Sequence, residues 1–310
     1  MRARLALVAI GGAAVLAPLA HGAGTEPRLV VHGRTAKAAS EVILRHVGTA
    51  STALVLVPGG YTLTLGQAAG ATVGAASADQ LIDGGTRTLS GAVTTAPPGT
   101  LACDGVAHAA TWSVALGDGT QTLATLTVAA DSAPAQLLVC LSGSQVDRLT
   151  LQLAATVLVP PAQPARPVWE ALVSLADGSQ VASVATLALP AKLTLRATYQ
   201  RIKHLIAVSG VVLEAGAAAP TSRRVVVSIG KQASTLTTIG ATRTKPDGSW
   251  RGVITNVKRT LYVQAQAIVP EADTTATACA PPTLTAPCVS ATSAGYTASS
   301  AVVRVAVPAK

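Results

Sequence analysis

Apolar residues in this chain recur in short bursts, each closed off by Gly, Pro, Asp or Ser. In the longest burst, 148–159, Leu149, Leu151 and Leu153 interleave with Thr150 and Gln152. That is the period of two that a half-buried strand requires. Runs at 28–33, 41–47, 52–57, 61–65, 86–95, 110–116, 120–129 and 136–141 predict further strands. Pro58-Gly59-Gly60 and Gly117-Asp118-Gly119 supply turns, and Asp-Gly between apolar runs is a strong hairpin signal. The stretch 66–79 is rich in small residues and predicts a loop with at most a short strand. No heptad run or fixed repeat is evident, and low helix content is expected.

Four prolines between 160 and 167 make an extended, stiff segment with the look of a linker. Beyond it, 168–175, the Asp177-Gly178 turn and 181–189 read as one more hairpin, too small to stand alone. That hairpin is therefore assigned to the first domain. Runs at 205–213, 224–229, 235–244, 250–255, 260–269 and 301–307 then predict six or seven strands over about 110 residues. The expected fold class is all-β: two antiparallel β-sandwich domains in tandem, 28–197 and 204–310, preceded by an N-terminal signal helix.

Composition changes this picture little. The chain has 310 residues and is 49% apolar, yet holds no Phe, one Met, three Trp and four Tyr. Val, Leu, Ile and Ala must build the core, with the few aromatics as isolated large pieces. Alanine and leucine favour helix in isolation, so the arrangement, not the composition, argues for strands. Residues 1–22 stand apart. Arg2 and Arg4 precede an apolar stretch from Leu5 to Ala17 and then small residues, the order of a secretory signal peptide. Cleavage is expected after Gly22; a buried helix or retained anchor is the alternative. The stretch is too short for a convincing span, so the mature chain is expected to be secreted, without a transmembrane segment. With no sorting motif, apolar tail or lipid-attachment cysteine, release or non-covalent retention is expected.

Cys103, Cys140, Cys279 and Cys288 make an even number, which in an exported chain reads as disulfides. Of three possible pairings, Cys103 to Cys140 and Cys279 to Cys288 are favoured. Loop closure gives about 4 kcal/mol for the longer and about 3 for the shorter. Zinc is the competing use, but there is no C-x-x-C pair. No metal or other cofactor is expected.

The net charge of +9 is unevenly placed. Residues 23–196 hold nine basic and ten acidic residues, whereas 197–310 hold twelve and four. Charge asymmetry between halves points to partners. Outside the cytoplasm these are cell-wall polymers, acidic polysaccharides and lipid headgroups rather than nucleic acid; a solvated basic surface is the plain alternative.

The second domain resembles the immunoglobulin-like and carboxypeptidase-regulatory-like modules of secreted bacterial proteins. The residues that carry this are Val208-Ser209-Gly210-Val211-Val212, Val225-Val226-Val227, Thr242 through Trp250 with its Asp247-Gly248 turn, and Leu261-Tyr262-Val263-Gln264-Ala265. The resemblance implies a G-x-V strand, a V-x-V strand, and an Asp-Gly turn leading into an aromatic that plugs the core. The first domain, at Leu56-Val57-Pro58-Gly59-Gly60-Tyr61 and Ala110-Thr111-Trp112-Ser113-Val114, looks like the N-terminal part of such secreted proteins. That implies export and a β fold. Such modules serve adhesion, spacing, carbohydrate binding and enzyme accessory roles alike.

Enzymatic constellations are mostly absent. His32, His46, His108 and His204 show no metal-ligand spacing, although His32 and His46 would meet if their strands paired suitably. Neither G-x-S-x-G nor a phosphate loop occurs. Asp83, Asp118, Asp177 and Asp247 each precede Gly, a turn role more than a catalytic one. Binding chemistry is the better candidate. Arg243, Lys245, Arg251, Lys258 and Arg259 surround Trp250 and would form a basic anion-binding patch if they share a surface. Trp250 is expected to be a buried plug, as are Trp112 and Trp169; stacking on a sugar is the alternative. The expectation is a non-catalytic, secreted binding or structural module at the cell envelope, its basic domain contacting an anionic polymer or polysaccharide. A plain spacer is the alternative, and a carbohydrate-active hydrolase a more distant one.

Overall fold

Strand formation follows the bursts of apolar residues closely. The computed structural model describes residues 26–33, 40–82, 85–97, 99–219, 222–274 and 286–308, and there it is all-β with no helix. The signal segment, Asp83, Cys279 and Lys310 lie outside the described residues. The first strands are β1 (Arg28–His32), β2 (Ser40–Arg45), β3 (Ala50–Leu56), β4 (Thr62–Leu63), β5 (Thr72–Ile82), β6 (Gly85–Ala96) and β7 (Ala110–Gly117). They continue as β8 (Thr122–Ser132), β9 (Ala135–Cys140), β10 (Val146–Leu153), β11 (Leu158–Val159), β12 (Val168–Leu175) and β13 (Gln180–Thr186). Next come β14 (Ala191–Leu193), β15 (Arg196–Gln200), β16 (Leu205–Glu214), β17 (Ala217–Ala218), β18 (Arg224–Gln232), β19 (Thr235–Arg243), β20 (Ser249–Ile254) and β21 (Leu261–Val269). The chain closes with β22 (Ala272–Thr274), β23 (Cys288–Ser293), β24 (Tyr296–Ser299) and β25 (Val303–Val305).

One large sheet runs β1-β2-β10-β5-β6-β7-β8-β9-β3-β12-β13-β23-β22, while β4 and β11 pair separately. A sheet this wide must curl, and here it wraps one core. Leu29, Val42, Leu151, Val93, Trp112, Val139, Val55 and Trp169, from strands all along it, are buried in a single cluster. Among the described residues the outer edge of β1 has no ladder partner. Hydroxyls from β13 and β23 take that place: Ser183 Oγ accepts from Leu29 N–H at 2.8 Å, and Thr292 Oγ1 donates to Leu29 C=O at 2.6 Å. Ser290 Oγ donates to Pro27 C=O at 2.9 Å. Buried backbone groups are thereby satisfied without another strand.

A second core lies between two facing sheets. One holds β14, β15, β17 and β20 around β16; the other runs β19-β18-β21-β24 with β25 also on β21. Val208, Val212, Trp250 and Ile254 of the first meet Val225, Val227, Val263 and Ala267 of the second. Gly210 lies directly across from Trp250 in the β16–β20 ladder.

The expected boundary between 197 and 204 does not divide these sheets. Hydrogen bonding passes to the second unit already at Ala191, which pairs with Glu214. After β21 the chain returns to the first sheet, where β23 lies parallel to β13, and then re-enters the second unit as β24. The reason is on β13: Ala182, Ser183, Val184 and Ala185 are all buried, so neither its faces nor its outer edge would tolerate water. The loop expected over 66–79 is largely strand β5, paired on both sides.

Candidate functional site

The turn aspartates are structural. Asp118 accepts from the hydroxyl and N–H of Thr120 and the N–H of Gln121, and these bonds pull its carboxyl down to about 2. Asp177 and Asp247 are held the same way by Ser179 and Ser249, and both titrate below the ordinary carboxylate value. His32 faces Glu41 at one end of the β1–β2 ladder, whereas Arg28 pairs with Arg45, next to His46, at the other. The two histidines therefore do not meet. Among the described residues no group of three or more His, Cys, Asp or Glu side chains is placed to hold a metal ion.

Trp112, Trp169 and Trp250 are all buried. Trp169 meets Tyr61 edge to face at 4.9 Å between ring centroids, and burial pushes the Tyr61 phenol up to about 12. With its indole in the core, Trp250 offers no sugar-stacking platform.

Cys103 and Cys140 form a disulfide with Cα atoms 5.8 Å apart. Cys288 is not free, and its expected partner Cys279 is outside the described residues. Beside the first disulfide, His108 is clasped between Asp131 on Nδ1 and Asp104 on Nε2, each at 2.8 Å. Burial opposes the imidazolium, but the hydrogen bonds and charges of Asp131 and Asp104 outweigh it and raise the pKa above 6.5. Asp131 moves the other way: burial raises it, yet Ala109 N–H, His108 and Gln136 bring it below 3.8. The histidine's contribution is complete below its ordinary value and lost as pH rises through its raised one. That of Asp131 is lost as pH falls through its lowered one. Proteolysis within 99–109 is therefore expected to quicken as pH rises past the imidazole range. In His108→Asn that rise should be absent, with the segment cleaved readily at every pH.

The five predicted cations do not form one patch. All are exposed, but Arg243 ends β19 and Lys245 occupies the β19–β20 turn, whereas Lys258 and Arg259 follow β20. A six-residue strand at ~3.3 Å per residue puts roughly 20 Å between these ends, with Arg251 in between. At the first end Asp247 shares the turn with Lys245. At the second end, Lys258 and Arg259 join Arg201 and His204 around a groove of about 1120 Å³, which Tyr199, Asn256 and Val307 also line. Among the described residues no carboxylate lines it, and no acidic side chain forms a salt bridge with Arg201, Lys203, Lys258 or Arg259.

Local geometry builds this groove. The β15–β16 hairpin pairs up to Gln200 and Leu205, so residues 201–204 project as its tip. His204 and Asn256 take left-handed φ values of 46° and 59°. Val257 N–H donates to His204 C=O at 2.9 Å, joining the two tips, and Tyr199 Oη bonds His204 Nδ1 at 3.0 Å. Arg201 and Lys203 were missed because they fell on the expected domain boundary, and His204 was weighed only as a metal ligand; the cations at 201, 203 and 204 were the available signal.

No known protein family matches the sequence, and no curated protein matches it. Among solved structures the chain is similar to red sea bream transglutaminase, with 10% identity and a TM-score of 0.21 over 93% of this chain and 32% of that one. It is also similar to pullulanase from Bacillus acidopullulyticus, with 14% identity and a TM-score of 0.19 over 78% and 34%. The chain thus spans about a third of each. Nothing about activity or partners follows from likenesses this slight.

Proposed function

We propose that this is a secreted, non-catalytic binding protein of the cell envelope. Its second unit acts as an immunoglobulin-like β-sandwich module, and the groove at the 201–204 end attaches it to an anionic envelope component. Anionic polymers, polysaccharides and lipid headgroups all carry the fixed negative charge this requires. One observation carries the reading: Arg201, His204, Lys258 and Arg259 converge on a wide groove that no carboxylate lines among the described residues. Exposed cations without internal partners keep their field for an external anion, and salt screens that field over about 8–10 Å.

Chromatography of the purified chain on immobilised dextran sulfate tests this. Retention at low salt is expected, with a clear shift to earlier elution for the triple variant Arg201→Glu, Lys258→Glu, Arg259→Glu. Identical elution of variant and parent would refute the groove as the binding site.

A further inference from the structure

We infer that the anionic surface met by this end is a lipid leaflet, with Ile202 as the residue that enters it. The inference rests on the groove being an anion site and narrows what the anion belongs to. Ile202 is 96% exposed, more than any other large apolar side chain among the described residues, and Val253 on the adjoining β20 follows at 61%. Among the described residues, neither apolar core nor the side chains packed against it include Ile202.

Its surroundings fit a headgroup layer. Arg201 and Lys203 flank it in the tip, and Lys258 and Arg259 stand on the loop bonded to that tip. Val307 N–H donates to Thr260 Oγ1 at 3.3 Å, which keeps the closing segment against the same rim. An apolar tip ringed by cations matches a membrane interface: the charges reach anionic headgroups while the apolar side chain enters the acyl boundary. Long basic side chains can extend back to the headgroups as the tip goes in. An anionic polysaccharide offers the cations the same charges but gives Ile202 no apolar bed.

Sedimentation with vesicles of phosphatidylglycerol and phosphatidylcholine, against phosphatidylcholine alone, tests this with Ile202→Ser, whose exposed site leaves folding intact. The chain is expected to sediment with the anionic vesicles only, and Ile202→Ser to bind them about tenfold more weakly while its dextran sulfate elution stays unchanged. Ile202→Ser binding vesicles like the parent would overturn the lipid inference and leave the anion site standing. Equal binding to neutral vesicles would overturn the role of the cations. Loss of binding to both vesicles and dextran sulfate by the parent chain would overturn the inference together with the reading beneath it.

Discussion

Gly210→Ala is expected to unfold the second unit or cost it at least ~3 kcal/mol. A Cβ at this position would overlap the carbonyl oxygen of Thr194 and stand 2.7 Å from Trp250 Nε1. The first obstacle is backbone, which cannot rotate away, and the second is the largest side chain in that core. Thr194 is fixed by its own bonds across β16, its N–H donating to Val211 C=O at 3.0 Å and its Oγ1 accepting from Val211 N–H at 2.9 Å. Relief would require β16 and its neighbours to separate, exposing Trp250. Urea unfolding followed by tryptophan fluorescence should show an earlier transition; an unchanged midpoint would mean the sheets yield more easily than this geometry allows.

The second large effect concerns Glu214, a buried carboxylate at the end of β16. Arg223 Nε donates to its Oε1 at 2.7 Å with Nη2 in ion-pair contact at 2.7 Å, Tyr296 Oη donates at 2.7 Å, and Arg166 lies 3.8 Å from Oε2. Burial pushes this carboxyl up, but the Arg223 and Tyr296 hydrogen bonds and the charges of Arg223 and Arg166 outweigh it and leave the pKa lowered. Arg166 comes from the proline-rich segment and Tyr296 from the last re-entry of the chain, so one carboxylate joins three separate passes. Glu214→Gln should cost roughly 2–3 kcal/mol, below the full figure for a broken buried pair because both guanidinium groups reach water. A lowered carboxylate pKa contributes stability that is complete above the ordinary value of 4.5 and is lost as pH falls through the folded one. The parent should therefore lose stability on acidification more steeply than Glu214→Gln. Parallel stability curves in acid would remove Glu214 from that role.

Much of the fold was legible because period-two runs such as 148–153 and Asp-Gly turns are local signals. Strand β5 was not, and the reason is packing. A Cβ on Gly74 would overlap Gln152 C=O. Close backbone approach selected the small residues that read as loop. The return of β22 and β23 was equally hidden, since parallel pairing with β13 joins residues about a hundred positions apart and leaves no local trace. At the candidate site, sequence proximity to Trp250 grouped five cations that β20 holds apart, while Arg201 and Lys203 were brought in by a hairpin pairing that spacing alone does not reveal.

The most direct test is retention of the purified, oxidised chain on isolated cell-envelope material across a salt series, comparing two charge-reversed variants. Salt-sensitive retention is predicted, lost in Arg201→Glu, Lys258→Glu, Arg259→Glu and nearly intact in Arg243→Glu, Lys245→Glu. No retention at low salt, or equal loss in both variants, would contradict a binding site confined to the 201–204 end.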